Sequence, residues 1–221
     1  MTKLRRALSA VAIVQTLFAL CISPAKADPH VPVIVAFGDS FTAGLGIPHE
    51  QSFPVRLEAW LRSQGKETRV INEGKSGDTT TAALPRLDKA LAEKPDLVIL
   101  ELGANDALRG VDPAITRANL ATMITRIRGG GAQLLLTGIL APPNWGEEYR
   151  LAFNRIYPEL ARTYQVPLYP FFLQGIALDP QFIQADGLHP NEHGVTELVN
   201  RIGPIVVRNF LDQPGTAPPH Q

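Results

Sequence analysis

The sequence predicts a three-layer α/β/α domain built on a five-stranded parallel sheet, and three observations carry that prediction. Short β-branched, apolar runs alternate with longer segments of helical apolar spacing, the pattern of repeated strand–helix units. The runs are continuously apolar rather than alternating, as strands covered on both faces must be. Glycine-bearing polar clusters stand directly after several of the runs, at the edge where such a sheet binds ligands.

The elements follow in order. Val31–Phe37 is a buried strand. Pro54–Gln64 carries Val55, Leu57, Trp60 and Leu61 at helical spacing, and Thr68–Asn72 is a short second strand. Thr79–Lys94 reads as one helix with a bend at Pro85, because proline removes a helical donor. Asp96–Leu102, with Leu97-Val98-Ile99-Leu100 at its centre, is the clearest strand. Pro113–Arg128 is a helix with proline in its first turn and Gly129-Gly130-Gly131 as its stop. Gln133–Leu140 is a fourth strand. A loop through Pro142, Pro143, Asn144 and Gly146 leads to a helix over Glu147–Tyr164. Val166–Pro170 is the fifth strand, and Glu192–Phe210 the last helix.

The ends read differently. Met1-Thr2-Lys3-Leu4-Arg5-Arg6 is basic, Ala7–Ile22 is apolar, and Ala25-Lys26-Ala27 offers small residues at the positions a signal peptidase reads. Residues 1–27 are therefore expected to be a cleaved signal peptide, residues 28–212 the folded domain, and residues 213–221, rich in proline and polar groups, a disordered tail. The apolar run is shorter than the roughly 20 residues that span a bilayer. A periplasmic or secreted protein with no lasting membrane anchor is the expectation. Of 21 basic and 21 acidic residues in the chain, four basic ones lie before Asp28, which leaves 17 against 21. A net charge of −4 argues against nucleic acid as a partner. The single cysteine, Cys21, also precedes Asp28, so the domain has no thiol nucleophile and no thiolate metal site.

Four clusters could carry chemistry. Gly38-Asp39-Ser40 follows the first strand, which would expose a serine at the sheet's carboxyl edge. Ser76-Gly77-Asp78 follows the second, where Gly77 could offer a backbone N–H to an oxyanion. Gly103-Ala104-Asn105-Asp106 follows the third, where an asparagine amide could do the same. Asp186-Gly187-Leu188-His189 precedes the last helix, with a carboxylate placed to orient an imidazole. Taken singly, each also fits an ordinary turn or helix cap. Their joint placement argues for a site, since a nucleophile, two oxyanion donors and an Asp–His pair converge on one edge.

In order and spacing these clusters resemble the four blocks of the SGNH (GDSL-type) hydrolases, nearest the bacterial periplasmic branch of multifunctional thioesterases, arylesterases and lysophospholipases. Glu101–Gly110 and Ile156-Tyr157-Pro158 extend the likeness; Ala104 departs from it, standing where that branch's best-known member has a second glycine. The resemblance implies a flavodoxin-like sheet, Ser40 as nucleophile, His189 as base and then acid, and Asp186 as its orienting partner. It implies an oxyanion hole from the backbone of Ser40 and Gly77 and the side chain of Asn105. Asp39 and Asp106 would structure loops. No cofactor or metal is called for, and a monomer acting on small acyl esters or thioesters is expected. Leu108, Val111, Ile139, Pro142 and Trp145 are expected to line the substrate pocket, an apolar set suited to an acyl chain or aryl group. A carbohydrate O-deacetylase could use the same machinery. An α/β-hydrolase elbow is disfavoured because Thr42 stands where G-x-S-x-G needs glycine. A non-catalytic flavodoxin-like binding module has no reason to hold a complete triad.

Overall fold

The computed structural model describes residues 30–212; the signal-peptide and tail expectations lie outside these residues. Five parallel strands form one sheet: β1 (Val33–Gly38), β2 (Arg69–Gly74), β3 (Leu97–Glu101), β4 (Gln133–Thr137) and β5 (Leu168–Tyr169). Their order is β2-β1-β3-β4-β5, the flavodoxin-like arrangement. Every residue of β3 is buried, as are all but the first of β1 and of β4, which explains the continuous apolar runs at their centres. β5 has only two residues because Pro167 and Pro170 flank it and supply no N–H to a ladder. Its neighbour β4 stops at Thr137, short of the expected Leu140. At Gly138 a Cβ would lie 2.0 Å from the Pro170 carbonyl oxygen, and the chain leaves the sheet there.

The helices are α1 (Ser40–Ala43), α2 (Phe53–Ser63), α3 (Thr80–Ala83), α4 (Leu87–Leu91), α5 (Ala104–Leu108), α6 (Pro113–Gly129), α7 (Glu147–Asn154), α8 (Ile156–Tyr164) and α9 (Glu192–Val206). α2 packs on α9, while α6 packs against α3, α7 and α8. Two expected helices are divided. The Thr79–Lys94 segment is α3, a 3₁₀ turn at Leu84–Arg86, and α4. The Glu147–Tyr164 segment breaks at Arg155. Prolines explain both: Pro85 and Pro158 each lack an N–H and crowd the carbonyl four residues back. The last helix gives way to a π-helical turn at Val207–Leu211 just beyond Pro204. Among the described residues no helix is long and apolar enough to cross a membrane.

The register positions the site. Gly38 is level with Gly74 on one side and Glu101 on the other, so three strands end at one height. The chain crosses from β1 to neighbours on opposite sides, and the crevice that opens beyond this switch point is where ligands enter such sheets.

Candidate active site

Asp39 begins the site. Its side chain accepts from the Phe41 N–H at 3.1 Å and caps α1. That capping leaves the neighbouring serine hydroxyl free for other contacts. Ser40, only 7% exposed, places Oγ 2.9 Å from Nε2 of His189. Nδ1 of the same ring is 2.6 Å from Oδ2 of Asp186. With its proton on Nδ1, the imidazole donates to Asp186 and can accept from Ser40. Phe41 meets the His189 ring edge-on, with centroids 5.6 Å apart.

The Asp186–His189 segment is braced by its own backbone. Oδ1 of Asp186 accepts from the N–H groups of Leu188 at 2.9 Å and His189 at 3.0 Å. Gln184 N–H donates to the His189 carbonyl at 2.7 Å, and Ile183 bridges to Pro190. Gly187 turns the chain at φ 74°. Desolvation is the largest single influence on the Asp186 carboxyl and raises it, but the hydrogen bonds from His189 and Leu188, with the attraction of His189, together outweigh it and hold the group at about 2. It is therefore an anion wherever an imidazole would need one.

The donors expected to bind an oxyanion lie on adjoining loops. Gly77 adopts φ 84°, a conformation that favours glycine. Asn105 Nδ2 donates to Oδ2 of Asp39 at 3.3 Å, which ties this amide to the residue before Ser40. Arg109 spans both loops, donating to the Gly77 carbonyl at 3.0 Å and to Asn105 Oδ1 at 3.5 Å. Preorganised dipoles of this kind stabilise charge that develops on a substrate oxygen.

Two acids beneath the site play different parts. Asp106 is fully buried and accepts from Thr80 N–H, Thr80 Oγ1 and Thr116 Oγ1 at 2.8, 2.6 and 3.1 Å, joining α5 to α3 and α6. Glu101, also fully buried, accepts from Thr42 Oγ1 at 2.8 Å and the Asp39 N–H at 3.3 Å. Burial, reinforced by the nearby Asp39 charge, pushes its carboxyl well above the usual range. Burial also pushes Asp39 up to about 6, against the opposing hydrogen bonds from Phe41 and Asn105 and the attraction of His189.

A groove of about 350 Å³ runs beside this cluster. Leu108, Ile139 and Pro142 line it. Val111 and Trp145 do not, contrary to the sequence expectation. Trp145 instead covers Gly110, where a Cβ would lie 2.7 Å from the indole, and leans toward Tyr149. Val111 contributes its carbonyl, which accepts from Tyr149 at 2.9 Å. Much of the remaining wall comes from Phe171, Leu173, Ala177, Leu178 and Leu188. That stretch lacks regular structure, so its periodicity gave no signal. Leu178 is 88% exposed and left-handed at φ 63°.

A serine facing a carboxylate-oriented imidazole, at the switch point of a parallel α/β sheet, is the architecture of a serine hydrolase. The model of the GDSL-like lipase/acylhydrolase family matches residues 36–196, and the chain belongs to that family. Among its relatives, esterase TesA of Pseudomonas aeruginosa is 42% identical over 78% of this chain and 87% of that protein. An arylesterase of Vibrio mimicus is 44% identical over 71% and 79%. Thioesterase 1/protease 1/lysophospholipase L1 of Escherichia coli K12 is 39% identical over 72% and 75%. The crystal structure of TesA superposes with a TM-score of 0.74 at 41% identity, covering 79% of this chain and 97% of that one.

Proposed function

We propose that this protein hydrolyses carboxylic esters and acyl thioesters by acyl transfer through Ser40, His189 and Asp186. The observation that carries the reading is the unbroken relay of 2.9 Å and 2.6 Å from Ser40 Oγ through His189 to Asp186. Ser40 Oγ attacks the carbonyl carbon as His189 Nε2 takes its proton. The backbone N–H groups of Ser40 and Gly77 and the Asn105 amide hold the oxyanion. As the intermediate collapses, the bond to the leaving group breaks and His189 returns the proton to that group. Water then repeats the sequence on the acyl-enzyme and releases the acid. Asp186 keeps the imidazole in its working tautomer.

Substrate selection rests on the groove. Its wall of leucine, isoleucine, phenylalanine and proline suits an alkyl or aryl acyl group rather than a hydroxylated sugar. The names of the esterase, arylesterase and thioesterase/lysophospholipase relatives support the same range. Export across a membrane belongs to this reading too, supported by the basic start and apolar run before Asp28.

Ser40→Ala tests the chemistry. Turnover of p-nitrophenyl butyrate should fall by about 10³-fold or more, and labelling by a fluorophosphonate should vanish. Near wild-type turnover by that variant would overturn the assignment. A panel of esters of increasing chain length, acyl-CoA and acetylated xylan tests the substrate class; a preference for the xylan would contradict the groove.

A further inference from the structure

Arg86 lies outside the groove and outside the Ser40–His189–Asp186 relay, yet it has a dense set of contacts. Its guanidinium donates through Nε to Oδ2 of Asp78, through Nη1 to the Glu73 carbonyl and through Nη2 to the Gly38 carbonyl, each at 2.6 Å. Its charged carbon lies 4.2 Å from the centroid of the Phe37 ring in β1. The side chain is largely buried. We infer that Arg86 is a positioning residue that sets the distance between the two backbone donors of the oxyanion hole, those of Ser40 and Gly77. The inference rests on the acyl-transfer reading above.

The contacts link the two loops that matter. The Gly38 carbonyl belongs to the peptide that leads into Asp39 and Ser40. That carbonyl also accepts from the Lys75 N–H at 3.1 Å, and the N–H of the same peptide donates to Glu101 at 3.3 Å. The peptide is thus held at both ends, which fixes the direction in which the chain enters Ser40. On the other loop, Asp78 immediately follows Gly77 and is itself buried, and its N–H closes a turn onto the Lys75 carbonyl at 3.2 Å. Arg86 grips the loop through that carboxylate. One rigid, planar fork therefore spans the end of β1, the end of β2 and the turn that carries Gly77. A lysine, with one point charge on a flexible stem, cannot reproduce three divergent donors.

The break at Pro85 places this fork. Arg86 sits in the 3₁₀ turn between α3 and α4, where a continuous helix would have directed it elsewhere. A displacement of about 1 Å in a catalytic donor can cost about 10²-fold in rate, which is the scale expected here.

The test uses the full chain with Arg86→Ala and Arg86→Lys, assayed on p-nitrophenyl butyrate and with a butyl boronic acid that mimics the tetrahedral intermediate. kcat should fall by about 10²-fold in Arg86→Ala while KM changes by less than about threefold. Affinity for the boronic acid should fall in parallel with kcat. Ethylguanidinium should restore part of the kcat of Arg86→Ala, and Arg86→Lys should remain impaired despite keeping the charge. Folding is read separately by circular dichroism and thermal melting. If Arg86→Ala does not fold, Arg86→Lys carries the same kinetic test. A folded variant whose kcat stays within about twofold overturns the inference, as does a loss confined to KM or unmatched by the boronic acid. Ser40→Ala in parallel separates the two claims. If that variant still turns over, the acyl-transfer reading fails; if it is inactive while the Arg86 variants are not, only the clamp fails.

Discussion

Asp39→Asn separates stability from function at one buried atom. The Asp39 carboxyl is fully buried, and its displacement from the ordinary 3.8 to about 6 is caused chiefly by that burial. At about 1.4 kcal/mol per tenfold change in proton affinity, the displacement corresponds to about 3 kcal/mol. The sign follows from proton counting. Below about pH 4 the group is protonated in both folded and unfolded chains and contributes nothing. Between about pH 4 and 6 the unfolded chain releases its proton first, so stability falls as pH rises. Above about 6 both states are ionised and the full penalty remains. Asparagine cannot ionise, so the stability of Asp39→Asn relative to wild type should rise by up to about 3 kcal/mol between about pH 4 and 8. Urea unfolding followed by the fluorescence of Trp60 and Trp145 at the two pH values measures it. A constant offset is expected as well. The new amide offers one oxygen to two donors, Phe41 N–H and Asn105 Nδ2, and leaves one of them unpaired at about 1–3 kcal/mol. The pH-dependent part is independent of that offset. Parallel stability–pH curves for the two proteins would refute the reasoning. Activity should move the other way, with kcat lower by about tenfold as Asn105 loses its anchor.

Three further outcomes follow from the geometry. Asp186→Asn should cut kcat by about 10⁴-fold by favouring the wrong imidazole tautomer, while the wild-type carboxylate, held at about 2, stays ionised; its contribution to stability should disappear only as pH falls from about 4 towards 2, and solvent at this half-exposed group should keep it small. A denaturation series in acid checks the second part. Gly103→Ala should destabilise by about 2–4 kcal/mol in urea, because φ is 120° and the added carbon would lie 2.1 Å from the Tyr157 hydroxyl, which donates to the Leu102 carbonyl. Leu140→Asp, on the groove wall, should lower kcat/KM for p-nitrophenyl octanoate by about tenfold and leave the acetate within about twofold, as paired steady-state assays would show.

The sheet and the placement of polar clusters at its edge were legible because they are local signals. A run such as Leu97-Val98-Ile99-Leu100 admits few readings, and a glycine-rich turn after it marks the edge. Helix continuity was less legible. Apolar spacing carries on through Pro85 and Pro158, while the backbone, lacking a donor at each, divides. The loops expected after the third and fourth strands, with the end of the fourth strand, point to Leu108, Pro142 and Ile139, which do line the groove. Its other wall, from Phe171 to Leu188, has no period to detect. The chemistry of Trp145 suits the groove, but Gly110 gives its indole a closer seat. Arg86 and Asp39 act across 48 and 66 residues of sequence, and spacing alone does not reveal such partnerships.

The loop that carries Asp186 and His189 is a self-contained unit. Carboxylate and imidazole are three residues apart and share a backbone brace, whereas Ser40 is 149 residues away. Loosening the loop from the body of the protein therefore does not dismantle the relay piece by piece. It separates the serine from an intact Asp–His couple at the 2.9 Å contact between Ser40 and His189 and at the packing of Phe41 on the imidazole. The relay is thus completed where that loop meets the residues that follow β1.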